Sequence, residues 1–333
     1  MGVKGVFDIS GKSDKIYSDI IKRAIFMGTP GFAVPSLEAL IHGSYQLDAV
    51  YAQPDRKAGR GQQVILSPVK QLALSHGIRV VQPDSLRDPG VLEQLTDFTP
   101  ELIVVAALGQ ILPQEMLAVP KYGCLNIHPS LLPKYRGSSP VAAVILEGEE
   151  VTGVTIMLMD VGLDSGPILS QREVPVSAED TTGSLTARLA QAGAQLLMDT
   201  LPLWLAGEIK PQPQEENNAS FTKSIDKGDG EIDWNLSALE LWRRVRAFDP
   251  WPGCYTWWHG KRLKLNSVMP LDAEKSGGAG KVIALPQTSP VSVGVKTGNG
   301  VLGLLHVQLE GKKQVSAEEF ARGQRDFVGS YLL

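Results

Sequence analysis

Cysteine is nearly absent: Cys124 and Cys254 stand alone in 333 residues, with no CxxC spacing. That argues against a disulfide framework and a cysteine-built zinc site, and for a reducing compartment, the cytoplasm by default. No apolar run approaches the about 18 residues of a membrane span, so no membrane role is expected. Residues 1–22 mix Lys and Asp without an apolar segment, which makes them an N-terminal extension rather than a secretory signal. His42, His76, His259 and His306 lack metal-ligand spacing, so no metal is expected. Positive charge is not in excess either. The net charge of −4 requires any polyanionic partner to be met by a local basic patch. Beyond residue 225 there are 14 Lys+Arg and 12 Asp+Glu, so the basic balance lies in the last third.

What is present is ordinary for a folded protein: 43% hydrophobic and 20% charged residues, in a length that suits two domains. Arg23 to Met27 reads as a buried strand, followed by Gly28-Thr-Pro-Gly31 and a helical pattern from Phe32 to about Ile41. Leu47–Ala52, Ile78–Val81, Glu101–Ala107 and Gly123–Ile127 read as further strands, with helices expected from Ser67 to Ser75 and from Val91 to Phe98. The alternation predicts an α/β fold: a Rossmann-like, mostly parallel sheet with helices on both faces. The Gly28/Gly31 turn is not GxGxxG, so a dinucleotide site is not expected. Pro140–Glu147 reads as a short helix, Val151–Asp160 and Ile168–Val174 as strands, and Thr182–Leu205 as a long amphipathic helix.

A catalytic domain is therefore expected over 23–206. Gly207–Ser220, with Pro211 and Pro213 and no apolar period, reads as linker, and the linker is taken over 207–225. Residues 226–333 open with a basic helix from Leu236 to Phe248 and continue as short strands between Gly/Asn/Lys turns. They predict a small OB-like antiparallel β-barrel. Trp251, Trp257 and Trp258 are expected in its core. Gln53 to Gln63 is a long polar loop, and composition fits both a solvated surface loop and a lid over a phosphate backbone.

The chemistry concentrates in Cys124 to Gly137. Asn126 and His128 are two apart, so on a strand they share a face, and the Pro-Ser-Leu-Leu-Pro that follows must be an ordered loop. Asp164 sits in a turn further on. An amide N–H can stabilise an oxyanion, a histidine can take a proton, and a carboxylate can orient the histidine. No Ser or Cys lies in a nucleophile elbow, so attack by the substrate's own nucleophile fits better than a covalent enzyme intermediate. A buried structural histidine beside a capping asparagine fits the same residues.

Asn126-Ile-His128, Ser130-Leu-Leu-Pro133-Lys-Tyr-Arg-Gly137 and Asp160-Val-Gly-Leu-Asp164-Ser-Gly together resemble the signature of the folate-dependent formyltransferases. Further strings resemble the branch that acts on an aminoacylated tRNA: Phe26-Met-Gly-Thr-Pro-Gly-Phe32, Gln53-Pro-Asp-Arg-Lys-Ala-Gly-Arg-Gly61, Ser67-Pro-Val-Lys70, Gly153-Val-Thr-Ile-Met157, Gly230-Glu-Ile-Asp-Trp234 and Arg246-Ala-Phe-Asp-Pro-Trp-Pro-Gly253. The resemblance spans about residues 23 to 333.

It implies 10-formyltetrahydrofolate as the formyl donor, used as a cosubstrate with no permanently bound cofactor, and the α-amine of methionyl initiator tRNA as acceptor. It implies Asn126, His128 and Asp164 as catalytic residues, with Asn126 and a protonated His128 stabilising the oxyanion and Asp164 holding the histidine. Ser130, Leu131, Leu132 and Pro133 match the folate-lining segment, and Phe32 a position near the methionyl side chain. Arg56, Lys57 and Arg60 match a loop that reaches the acceptor stem. Arg243, Arg244 and Arg246, with Lys261, Arg262 and Lys264, are candidates for phosphate contacts. A monomer without protein partners is expected. A sugar-nucleotide N-formyltransferase would share the Asn/His/Asp trio, but it resembles this chain less in the 53–61 loop and the C-terminal part. A non-catalytic RNA-binding protein is the alternative outside the enzymes.

Overall fold

The computed structural model describes residues 22–58, 63–272 and 278–333. In chain order the first domain runs β1 (Lys22–Gly28), α1 (Val34–His42), β2 (Tyr45–Tyr51), β3 (Arg56–Ala58), β4 (Gln63–Ile65), α2 (Pro68–Ser75), β5 (Val80–Val81), α3 (Pro89–Asp97), β6 (Leu102–Ala106) and α4 (Gln114–Leu117). It continues with β7 (Cys124–His128), β8 (Arg136–Gly137), α5 (Pro140–Glu147), β9 (Val151–Leu158), β10 (Ile168–Pro175) and α6 (Thr182–Leu205). The expected strands and helices are all there. α5 and α6 have the expected limits, and α6 starts at a capping box between Thr181 and Ser184.

The seven-stranded sheet has the order β10-β9-β7-β6-β1-β2-β5. β5, β2, β1, β6 and β7 are parallel, while β9 and β10 run antiparallel as a hairpin. β6 reads Leu-Ile-Val-Val-Ala and is buried throughout, as a central strand covered on both sides must be. Leu102 and Val104 face one core, with Leu37 and Leu40 of α1, Val141 and Val144 of α5 and Leu185 and Leu189 of α6. Ile103 and Val105 face the other, with Leu95 of α3 and Met116 of α4. Three of the larger helices cover the first face, whereas α3 and the four-residue α4 cover the second. Gly28, ending β1, is where a Cβ would lie 2.8 Å from both Ala106 O and Ala33 Cβ, so the strand and the next turn approach too closely for a side chain.

The second domain begins, after β11 (Phe221–Thr222), with α7 (Ala238–Ala247) and then β12 (Cys254–Trp258), β13 (Lys261–Leu271), β14 (Val282–Ala284), β15 (Val293–Lys296), β16 (Val301–Leu309), β17 (Val315–Ser316) and α8 (Ala317–Gly323). Its antiparallel sheet has the order β12-β13-β16-β15-β14, with β17 on β16. The C-terminal residues bridge the two free edges. Trp257 and Leu333 exchange hydrogen bonds of 3.0 and 3.1 Å on β12, and Val282 N donates to Ser330 O at 2.9 Å on β14. That tail turns a curled half-barrel into a nearly closed one and leaves little strand edge unpaired. Trp258 packs edge-on against Phe320 and Phe327 in the barrel interior.

The tryptophan expectation holds only for Trp258. Trp257 alternates outward, where its Nε1 donates to Glu231 Oε1 at 2.9 Å, and Trp251 is exposed. The polar loop after β2 also differs: it contains an antiparallel hairpin, β3 with β4. The linker is not loose. β11 adds in parallel to β8, and Ile168 forms a bridge with Gln212. No described helix is long and apolar enough to cross a membrane.

Candidate active site

β7 carries Leu125 and Ile127 into the first core, so Cys124, Asn126 and His128 project from the lightly covered second face. There α4 reaches the start of β7, where Cys124 Sγ lies 3.9 Å from Met116 O. The turn after β9, residues 159–167, folds back across the strand. Asp164 arrives with φ +49°, a left-handed conformation that the surroundings must hold in place. Its Oδ1 accepts from Asn126 Nδ2 at 3.4 Å, and its Oδ2 from Gly137 N at 2.8 Å. The same Oδ2 stands 3.6 Å from His128 Nδ1. Two residues on one face of a strand and a third 36 positions beyond His128 thus meet at one point.

His128 is only 3% exposed. Its Nε2 donates to the carbonyl of Tyr135 at 3.0 Å, because a carbonyl can only accept. Nδ1 is then the free lone pair, and it faces Asp164. Burial pushes the imidazole pKa down; the Asp164 carboxylate and the Tyr135 carbonyl pull the other way without overcoming it.

The loop from Ser130 to Gly137 is fastened on several sides. Ser130 Oγ donates to Lys134 O at 2.6 Å, Thr155 Oγ1 to Ser130 O at 2.6 Å, and Leu132 N to Thr155 Oγ1 at 3.1 Å. Gln171 Nε2 donates to Leu132 O at 2.8 Å, and the Leu132–Pro133 peptide is cis. Ser130 and Leu132 point inward, while Leu131 and Pro133 are half-exposed. In the Asp164 turn the exposed side chains of Val161 and Leu163 leave apolar surface unburied next to polar groups. That is the setting in which a ligand with an apolar ring system and a polar end can bind.

The other site candidates lie elsewhere. Phe32 sits in the first core and is 8% exposed. Arg56 and Lys57 lie on β3, while Arg60 and residues 1–21 fall outside the described residues. The root of the hairpin is held by Lys70, whose ammonium bonds both Asp55 and Gln82. On α7 the arginines are turned into the seam between the domains. Arg243 lies across Gly148, the left-handed C-cap of α5. Arg244 donates to Asp229 O at 2.7 Å, and Arg246 donates to Ala178 O at 2.9 Å and stacks on Trp242. Lys261, Arg262 and Lys264 are exposed on β13, with Arg262 over the rings of Tyr255 and Trp257.

Sequence reasoning missed the residues that enclose the trio. Gln214 donates from Nε2 to Asp164 O at 2.8 Å and to Gly166 O at 2.7 Å. Arg136, 2% exposed, is bidentate to Glu216 at 2.8 and 3.0 Å and donates through Nε to Gln214 Oε1 at 3.0 Å. Nothing in a Pro- and Glu-rich linker signals such contacts. Among the described residues no group of three or more His, Cys, Asp or Glu could hold a metal.

The formyl transferase family model matches residues 22–201, and the model of the formyl transferase C-terminal domain matches 224–325. The chain is 45% identical to a methionyl-tRNA formyltransferase of Chloroflexus aurantiacus over 302 residues, 90% of this chain and 96% of that one. It is 42% identical to one of Caldanaerobacter subterraneus subsp. tengcongensis, over 93% and 99% of the two chains. In fold it resembles an N-formyltransferase of Helicobacter canadensis solved with folinic acid and dTDP-3-aminofucose, at a TM-score of 0.62, 19% identity and 86% and 99% coverage. It also resembles HypX of Aquifex aeolicus solved with tetrahydrofolic acid, at a TM-score of 0.59 and 19% identity, covering 92% of this chain but spanning only 48% of that one. On the strength of both domain matches and of relatives alike along nearly their whole length, the chain belongs to the formyl transferase family.

Proposed function

We propose that this enzyme transfers the formyl group of 10-formyltetrahydrofolate to the α-amine of methionyl initiator tRNA. The observation that carries the chemistry is the meeting of Asn126, His128 and Asp164 at the carboxyl end of β7. The acceptor rests on the relatives' printed activity and their likeness over both domains. No Ser or Cys lies in a nucleophile elbow, so the amine attacks the formyl carbon directly. The new C–N bond forms as the carbonyl electrons move onto oxygen, and the Asn126 amide stabilises that oxyanion. Neutral His128, with Nδ1 toward Asp164, takes the proton released by the attacking nitrogen. The imidazolium so formed, held by Asp164 on one side and the Tyr135 carbonyl on the other, returns the proton to N10 of the leaving folate as its bond to the formyl carbon breaks. Atoms and charge balance, with tetrahydrofolate and formylmethionyl-tRNA as products.

The half-exposed Leu131 and Pro133 are the members of the Ser130–Pro133 segment best placed to meet the donor, while Ser130 and Leu132 hold its shape. Arg56 and Lys57 lie on the hairpin strand β3 that would grip the acceptor stem, and the sequence motif adds Arg60 to that role. Lys261, Arg262 and Lys264 are better placed for phosphates than Arg244 and Arg246, which are engaged at the seam. Because its acceptor is a translation substrate, the enzyme works in the cytoplasm.

Formyl transfer from 10-formyltetrahydrofolate to charged initiator tRNA, wild type beside His128→Ala, tests the reading. Transfer by wild type with a loss of at least about 10² in the variant is expected, the range for removing a positioned acid–base group. Turnover of an amino-sugar nucleotide in place of charged tRNA would keep the trio's chemistry and replace the acceptor.

A further inference from the structure

The segment joining the domains touches the trio directly. Asp164 is held at φ +49° in a turn that has left the sheet, and among the described residues its carboxylate accepts hydrogen bonds from Asn126 and Gly137. Asp160 closes the start of that turn through Gly162 N and Ser165 Oγ, and Gln214 holds the backbone at Asp164 itself. Its amide is fully used: two N–H bonds go to the carbonyls of Asp164 and Gly166, and its oxygen accepts from Arg136 Nε. The orientation of the amide is unambiguous, because carbonyls only accept and a guanidinium only donates.

Arg136 is itself immobilised. Its guanidinium is buried, bidentate to Glu216, and its backbone N–H donates to Ser220 O at 2.8 Å. The neighbouring Tyr135 N donates to Ser220 Oγ at 2.8 Å, and it is the carbonyl of Tyr135 that fixes the His128 ring. Residues 212–222 therefore clamp both the Asp164 turn and the loop that carries the histidine's other partner.

We infer that Gln214 is a positioning residue for the transfer chemistry: it sets the distance from Asp164 to His128 and Asn126, and the Arg136–Glu216 pair holds Gln214 in register. The inference rests on the proposed reaction for its kinetic test but not for its structural one. Without Gln214 the Asp164 carbonyl loses its partner, the left-handed turn relaxes, and the carboxylate moves from the imidazole. Because Asp164 raises the proton affinity of His128, its withdrawal lets burial depress the imidazole further.

The test compares wild type with Gln214→Ala by titration of the isotope-labelled histidines in the NMR spectrum, beside formyl-transfer kinetics and a melting curve. The His128 midpoint is expected to move to lower pH in the variant. kcat is expected to fall by about ten-fold or more, the scale of a sub-ångström to 1 Å misplacement, with the KM for donor and tRNA within about two-fold. Gln214→Glu keeps the length but loses both N–H donors, and it should behave like Gln214→Ala. A His128 midpoint that stays put in both variants would overturn the inference, whatever acceptor the wild type uses. An unchanged kcat in a variant of an enzyme that does transfer formyl to charged tRNA would overturn it as well. Wild type that leaves charged tRNA untouched while His128 still moves in the variants would refute the acceptor and sustain the role of Gln214.

Discussion

Two loops leave the same sheet and are built on opposite terms. The loop from Ser130 to Gly137 is fastened at nearly every polar atom, by Thr155 and Gln171 of the β9–β10 hairpin and by Gln214, Glu216 and Ser220 of the linker. The hairpin of β3 and β4 is held at its root, through Lys70, Asp55 and Gln82, and through Gln82 Nε2 to Gln53 O at 2.8 Å. The first loop presents atoms that must meet a transition state, and there a displacement of 1 Å is costly. The second carries Arg56 and Lys57 on β3, as suits a part proposed to meet a large polyanionic substrate. A site that does both jobs needs one rigid wall and one that reaches.

The largest expected effect lies on the rigid side. Asn126→Ala should keep the fold and the KM of the donor while kcat falls by about 10²–10³, the loss typical of one oxyanion donor. Steady-state kinetics would check it, and near-wild-type turnover would show that the amide is only a cap for Asp164.

On the reaching side the effect should be smaller and of a different kind. Lys70→Met removes the ammonium that ties Asp55 to Gln82. The expected outcome is a KM for charged tRNA raised about ten-fold, the equivalent of one lost charge-assisted bond, with kcat at saturating tRNA and the donor KM unchanged. If kcat fell in step, the two loops would not be separable and the comparison would fail.

The smallest effect concerns pH. The buried imidazole of His128 has its pKa depressed below the ordinary 6.5 by desolvation. The unfolded chain thus binds a proton that the folded chain refuses as pH falls through that range, so stability drops on the acid side of about 6.5, by at most about 1.4 kcal/mol per pH unit for one group. Above that pH the contribution is constant. Melting curves between pH 7.5 and 5.5 should show a shallower acid-side fall in a His128→Asn variant than in wild type. Equal slopes would mean that His128 is charged in the fold.

Much of this architecture is legible in local pattern. Uninterrupted apolar runs such as Leu102–Ala106 have no stable place except between two covered faces, and the capping of α6 at Thr181 marks its start to the residue. The i, i+2 spacing of Asn126 and His128 puts them on one face as soon as the segment is a strand, and the motif strings carry the family. These are short-range consequences of chain geometry and solvent exclusion.

What local pattern could not reach is set by long-range packing. Asp164 joins the trio because the β9–β10 turn folds back over the carboxyl end of β7. Trp257 and Trp258 take opposite sides of one strand, and only the barrel's curvature decides which is inside. The arginines of α7 look like phosphate contacts in a basic helix, yet α7 packs against α5 and turns Arg244 and Arg246 toward backbone carbonyls. The linker shows the same limit most clearly. Its prolines and glutamates carry no periodic signal, and Gln214 finds Asp164, 50 positions away in the chain, because the two domains fix both ends of the strap that carries it.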